Sequence, residues 1–171
     1  MSDPEGEYEE EGFRVIKSAY ELVRFAKAHH LKGWCIAFEP QTEKDFDNFC
    51  TVAFAESHSE RRLTVVVDEL SDVTTIAKAP PKWGKILRRI RKYGGKVRAG
   101  TQSPAEADKT LLRQKSMLWC GMMETPLDRE YVHKQTGIPM DALESLRGDP
   151  HFDCIVKVSG KQWELINANR T

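Results

Sequence analysis

Closely spaced cysteines are missing from this 171-residue sequence: Cys35, Cys50, Cys120 and Cys154 are scattered, which removes the spacings that mark zinc sites and redox motifs. Three of the four sit inside apolar runs, as small core residues do. No apolar stretch approaches the ~18 residues of a membrane span, and no charged head followed by an apolar segment opens the chain. A reduced, soluble, cytoplasmic protein is expected. No serine lies in a G-x-S-x-G elbow, so a Ser-His-Asp hydrolase has little support. Internal repeats and low-complexity linkers are also missing, which excludes a solenoid. Net charge is missing too: 26 basic residues balance 26 acidic ones, giving no global pull toward nucleic acid or membrane.

What is present is an ordinary globular composition, 40% hydrophobic and 30% charged, at a length that suits one domain spanning residues 1–171. The charge is unevenly placed. Residues 3–11 hold Asp3, Glu5, Glu7, Glu9, Glu10 and Glu11 without a base, an acidic start that chain termini often leave frayed. Residues 82–98 hold Lys82, Lys85, Arg88, Arg89, Arg91, Lys92, Lys96 and Arg98 without an acid.

Strand-like and helix-like periods alternate along the chain. "GFRVI" (12–16) reads as a strand. Ser18 and Glu21 have capping-box spacing before a helix that places Leu22, Val23 and Ala26 on one face. "GWCIAFEP" (33–40) reads as a strand stopped by proline, and Phe46, Phe49, Ala53 and Phe54 follow at helical spacing. "LTVVVD" (63–68) is the most apolar strand. A basic helix is expected from about Pro81 to Tyr93, closed by Gly94 and Gly95, and "KVRAGTQ" (96–102) is the next strand. Ser103, Pro104 and Glu106 form a helix-start signal. "MLWCGMM" is another strand, "PLDREYVHKQTG" and "IPMDALESLRG" two short helices, and residues 150–167 a hairpin turning at Ser159-Gly160. Trp34, Trp83, Trp119 and Trp163 fall in apolar contexts that suit a core. The pattern predicts an α/β fold, a mostly parallel sheet with flanking helices and a small antiparallel hairpin at the carboxyl terminus.

Ligands of open α/β sheets sit at the carboxyl ends of the strands, which is where "LTVVVD" delivers Asp68 and Glu69. An acid pair there suits nucleotide hydrolysis: the first carboxylate holds Mg²⁺ through water, the second orients or activates the attacking water. Acids are equally at home at the N-terminus of a following helix. Gln102, at the end of the next strand, has an amide suited to orienting water or sensing a γ-phosphate, and also suits a plain loop. In the helix between, Trp83, Ile86, Leu87 and Ile90 share an apolar sector and Lys85, Arg88, Arg89 and Lys92 the opposite face, at about 100° per residue. Arg91 falls at roughly 80° from Trp83, on the margin of the apolar sector. Its rigid, permanently charged fork suits an arginine finger. Its basic neighbours suit phosphate contacts with DNA or a solvated helix end. His29-His30 with Cys35 nearby points to a helix terminus more readily than to a metal, because the dyad faces two ways.

The succession "VVVDE", "APPKWGKILRRIRKYG", "VRAGTQSPAEADKTLL" resembles the carboxyl-terminal two-thirds of HerA–FtsK type P-loop ATPases, especially the ATP-binding proteins of phages and prophages. "VVVDE" looks like the Walker B strand, and "GTQSPAEADKTLL" like the sensor strand and its following helix, where a Thr-Gln pair precedes Ser/Arg-Pro. The interval between Arg91 and Gln102 suits the family's arginine finger. "DPEGEY" (3–8) is similar to the acidic turn after the second core strand of HerA-like proteins. The resemblance covers about residues 3–148. It implies ATP and Mg²⁺ as cofactors, with Asp68 as metal ligand, Glu69 as base, Gln102 as sensor and Arg91 as a finger toward a neighbouring subunit. It also implies a ring-like homo-oligomer acting on DNA, with Arg88, Arg89 and Lys92 as phosphate contacts, in the cytoplasm of a bacterial host cell.

One part of the family's machinery does not appear. A P-loop needs G-x-x-x-x-G-K-[ST], whose backbone N–H groups and lysine cradle the phosphates, and no such stretch occurs in the sequence. "YGGKVRAG" and "VSGKQWE" lack the first glycine at the required spacing and the Ser/Thr after the lysine. The expectation is a truncated or internally initiated P-loop NTPase core, without the P-loop strand and helix. Its sheet would close the gap, leave an apolar edge open or borrow a strand, and its partner would be either its own copies or the missing ATPase half. The alternative is a catalytically inactive remnant, or a binding or regulatory partner.

Overall fold

A computed structural model describes residues 8, 12–29, 35–57, 62–74 and 79–167. The acidic start other than Tyr8, and also His30 and Trp34, lie outside the described residues. β1 (Arg14–Ile16) leads into α1 (Ala19–Ala28), whose N-cap Ser18 Oγ accepts the Glu21 N–H at 3.2 Å. The expected apolar face is narrower than its spacing suggests: Leu22 and Ala26 are buried while Val23 is exposed. β2 (Ile36–Phe38) pairs parallel with β1, Arg14 opposite Ile36 and Ile16 opposite Phe38. Phe38 and Ile16 pack with Leu22 and with Phe49 and Val52 of α2 (Glu43–Glu56), which Thr42 caps.

β3 (Thr64–Val67) and β4 (Lys96–Ala99) form a second parallel pair, with Val65 opposite Val97 and Val67 opposite Ala99. Between them run α3 (Leu70–Val73) and α4 (Pro81–Arg89). Val65 and Val67 face a core built with Phe46, Cys50 and Ala53 of α2 and Trp83, Ile86 and Ile90 from the basic helix. Trp83 is fully buried, its ring 5.7 Å from that of Phe46. The basic helix does not stay α-helical to Tyr93. Residues Ile90–Tyr93 tighten into a 3₁₀ turn, ended by Gly94 at φ +73°. Three residues per turn replace 3.6 there, so the wheel fails after Arg89, and Arg91 is exposed rather than marginal.

The helix expected to start at Ser103 is displaced. Ser103 begins a turn, its carbonyl accepting from Glu106 and Ala107, and α5 (Lys109–Gln114) starts only after Asp108, whose Oδ1 accepts the Thr110 N–H. A tertiary contact competes with the local signal: Asp128 Oδ1, from the first turn of α6 (Pro126–Thr136), takes the Ala105 N–H at 2.9 Å. α6 ends at Gly137 (φ +70°) and is followed by α7 (Met140–Glu144).

β5 (Met117–Cys120), β6 (Cys154–Val158) and β7 (Trp163–Ile166) make an antiparallel sheet, β6 central. The β6–β7 hairpin turns through Ser159 and Gly160 as the sequence predicts, and β5 joins it as an unexpected third strand. Cys120 and Ile155 bury one face against Val132, Ile138 and Leu143. Trp119 points the other way and is 62% exposed, with Met117 beside it at 51%, so of the described tryptophans only Trp83 is fully in a core.

The α/β class therefore holds, but "mostly parallel" does not. Among the described residues there are two parallel pairs that are not hydrogen-bonded to each other, and a three-stranded antiparallel sheet. The free side of β4 alternates exposed Lys96 and Arg98 with half-buried Val97 and Ala99, so that edge is charged rather than apolar. Trp119 and Met117 present an exposed apolar pair on β5 instead. Replacing Trp83 by Ala should remove about 3–5 kcal/mol of stability, measured as a lower urea midpoint at unchanged m-value.

Candidate functional site

The parallel register of β3 and β4 sets Val67 beside Ala99, so the segments that leave these strands run side by side. Two backbone bonds stitch them: Gly100 N donates to Val67 O at 2.9 Å and Leu70 N to Gly100 O at 2.8 Å. Asp68 and Glu69 thus meet Gly100, Thr101 and Gln102 at one edge.

Glu69 adopts a left-handed backbone, φ +42° and ψ +74°, uncommon for a residue with a Cβ. That turn carries its carboxylate across to the neighbouring loop. Oε1 accepts the Thr101 hydroxyl at 2.8 Å and the Ser71 hydroxyl, and the Gln102 backbone N–H is shared between Oε2 at 2.9 Å and Oε1 at 3.2 Å. Thr101 Oγ1 in turn accepts the Ser103 N–H at 3.2 Å. Burial pushes the Glu69 pKa up, but the hydrogen bonds from Ser71, Gln102 and Thr101 outweigh it and hold the carboxyl below the ordinary glutamate value.

Asp68 is exposed. Its Oδ1 accepts the Glu69 N–H at 3.2 Å and its Oδ2 accepts the Tyr8 hydroxyl at 3.0 Å. A carboxylate has about four acceptor positions, so each oxygen keeps one outward. No cluster of three or more His, Cys, Asp or Glu able to hold a metal occurs among the described residues. That donor set does not suit zinc or an all-protein calcium cage. It does fit Mg²⁺, which commonly takes one or two carboxylates and completes its shell with water and substrate phosphates.

Asp68, Glu69 and Gln102 are therefore brought together, with one difference from expectation: Gln102 meets Glu69 through its backbone, and its exposed side-chain amide makes no hydrogen bond among the described residues. Thr101, Ser71 and Tyr8 were not singled out from the sequence. Thr101 had a signal in the Thr-Gln pair and Tyr8 in "DPEGEY"; Ser71 had none.

Arg91 lies elsewhere. The 3₁₀ turn leads through Gly94 and Gly95 into the start of β4, where Lys96 N donates to Leu63 O at 2.9 Å. A four-residue strand advances about 13 Å, so Arg91 sits a strand's length from Glu69, at the opposite edge. Arg88, Arg89 and Lys92 are exposed near it, with no carboxylate partner among the described residues. Two other bases of the run have structural partners: Lys82 bonds Thr51 at 2.8 Å and pairs with Asp47 at 3.5 Å, and Lys85 lies 4.2 Å over the Phe54 ring. His29 ends α1 as expected, Nδ1 2.9 Å from Phe25 O and its ring stacked on Phe25. No described helix is long and apolar enough to cross a membrane.

Comparison with known proteins finds one relative by sequence and a shared fold. The chain is 37% identical over 123 residues to protein P9 of Pseudoalteromonas phage PM2, a match over 72% of this chain and 56% of that relative. It thus spans little more than half the length of the curated protein it matches. The fold is shared with the genome packaging NTPase B204 of Sulfolobus turreted icosahedral virus 2. Against its AMPPCP complex the TM-score is 0.71 over 96% of this chain and 79% of that one, at 11% identity. Against its ATP-gammaS complex the TM-score is 0.68 over 81% and 69%, at 12% identity. No family model matches the chain. The architecture is accordingly a mixed α/β one whose fold is shared with B204.

Because the folded pKa of Glu69 is lowered, its bonds contribute stability above the unfolded value of about 4.3 and lose it as pH falls through the folded pKa. The urea-midpoint difference between the parent and Glu69→Gln should therefore be largest near neutrality and shrink below about pH 4.

Proposed function

We propose that this chain carries the cation and sensor side of a nucleoside-triphosphate-hydrolysing site in a protein related to viral genome-packaging motors. The observation that carries the reading is the meeting of Asp68, Glu69, Thr101 and Gln102 at the carboxyl ends of two adjacent parallel strands. The shared fold with B204 and the likeness to a phage protein support it. Asp68 ligates Mg²⁺, directly or through water. Mg²⁺ supplies charge neutralisation of the β- and γ-phosphates. Glu69 keeps an acceptor position on Oε2 for an attacking water; with its pKa lowered it is better placed to orient that water than to store its proton. The Gln102 amide is free to meet a γ-phosphate.

Arg91 cannot serve its own chain's site across a strand length, so its role as a finger belongs to a neighbouring copy in a homo-oligomer. Arg88, Arg89 and Lys92 supply backbone contacts to DNA. We place this work in the cytoplasm of an infected bacterial cell, on the strength of the phage relative. The 171 residues contain no phosphate-cradling G-x-x-x-x-G-K-[ST]. Nucleotide held by these residues alone is held through Mg²⁺. That same feature favours a second reading, a partner that binds or regulates without hydrolysing.

Isothermal titration separates the two. The first reading expects saturable binding of Mg-ATP that EDTA abolishes, and turnover that Glu69→Gln lowers by 10²-fold or more. Absence of both binding and turnover leaves only the second. For DNA, the slope of log affinity against log salt should fall by up to about 3 when Arg88, Arg89 and Lys92 are all changed to Ala. An unchanged slope would remove them from the DNA contact.

A further inference from the structure

We propose that Tyr8 is a positioning residue for the cation ligand Asp68, so that loading of the cation and seating of the Tyr8 phenol are coupled. The inference rests on the reading of Asp68 as the Mg²⁺ ligand and adds to it a residue from the other end of the chain.

An exposed aspartate at the end of a strand is a poor ligand when its carboxylate rotates freely, because ordering it costs entropy at the moment of binding. Here both oxygens are engaged. The Glu69 N–H takes Oδ1 at 3.2 Å and the Tyr8 hydroxyl takes Oδ2 at 3.0 Å, from a residue sixty positions away. Bonds from two sides fix the plane of the carboxylate and leave one acceptor position on each oxygen facing out. The phenol is neutral, so it orients the carboxylate without competing as a cation would. Its own oxygen can accept from water, which suits the hydrated shell that Mg²⁺ retains.

Tyr8 is held in place by more than this bond. Its carbonyl accepts the Phe13 N–H at 2.9 Å, and its ring meets the Phe13 ring edge-on at 5.9 Å and 83°. Phe13 directly precedes β1, so the place of the phenol is set by the first parallel pair and delivered to the end of the second. The arrangement has the form of a metal ligand's outer partner, whose loss typically weakens binding 10–100-fold.

The probe is Mn²⁺ alone, without nucleotide, at low ionic strength, with free Mn²⁺ read by electron paramagnetic resonance. Tyr8→Phe keeps the ring contact with Phe13 and removes only the hydroxyl. It should weaken Mn²⁺ binding about 10-fold at an unchanged urea midpoint. Tyr8→Leu, which also loses the ring contact, should lower both. Parent-like Mn²⁺ affinity in Tyr8→Phe overturns the proposal while leaving the cation role of Asp68 standing, provided Asp68→Asn abolishes binding. If Asp68→Asn binds Mn²⁺ as the parent does, or the parent binds none, the reading of Asp68 fails and the proposal falls with it. A lowered midpoint in Tyr8→Phe with unchanged Mn²⁺ affinity makes the hydroxyl structural only and also overturns it.

Discussion

The Glu69 carboxylate is the tie on which this end of the molecule depends. β3 and β4 are four residues each and pair only with one another among the described residues, so beyond Val67 and Ala99 the segments that leave them are joined by the Gly100 bonds to Val67 and Leu70 and by the Glu69 side chain. The left-handed turn at Glu69 costs about 1–3 kcal/mol, and it is the conformation that sends the side chain sideways. Hydrogen bonds to an ionised group contribute about 1.5–3 kcal/mol each, and Glu69 collects them from Ser71, Thr101 and the Gln102 N–H. The bonds outweigh the strain. They also determine the chemistry: a carboxylate solvated by fixed donors stays ionised and loses basicity, while the geometry that holds it aims its remaining acceptor position.

What the sequence showed was what local physics decides. The periods located the described strands, and the helix stops at Gly94 and Gly137 and the hairpin turn at Gly160 followed from residues that tolerate positive φ. The acid pair and Gln102 were placed at one edge because strands joined by a helix run parallel and share that edge. The failures are equally specific. Ser103, Pro104 and Glu106 satisfy every short-range condition for starting a helix, yet Asp128 takes the Ala105 N–H from across the fold. Arg91 was placed by a helical wheel on a segment that is 3₁₀. Trp119 looks like core in its apolar run, but strand alternation puts Cys120 inward and Trp119 out.

Long-range pairing explains why half of the site was harder to read. Nothing near Ser71 or Thr101 in sequence says that both hydroxyls will converge on Glu69, and the left-handed turn that makes it possible has no glycine to announce it. Tyr8 is the extreme case, since its partner is Asp68 and the segment between them contains an entire parallel pair. The same separation broke the expected continuous sheet. The two parallel pairs share α2, which packs Phe46, Cys50 and Ala53 against one and Phe49 and Val52 against the other, and among the described residues no strand pairing joins them.

The two ends of the β3–β4 pair differ in sign, and this decides how copies of the chain can cooperate. The acids and the loop of Gly100, Thr101 and Gln102 occupy the carboxyl edge. Arg91 lies with Arg88, Arg89 and Lys92 at the amino edge, a strand's length away. A two-fold dimer, in which the same patch meets itself, that joined amino edges would set arginines against arginines, and one that joined carboxyl edges would set carboxylates against carboxylates. Two arrangements bring the basic edge of one copy to the acidic edge of another: an antiparallel two-fold pair laid side by side, in which each edge meets its opposite, and a head-to-tail contact. Contacts of the second kind close into rings or run on as filaments. If Arg91 acts on a nucleotide at Asp68 and Glu69, each site is completed by a neighbouring copy in either arrangement.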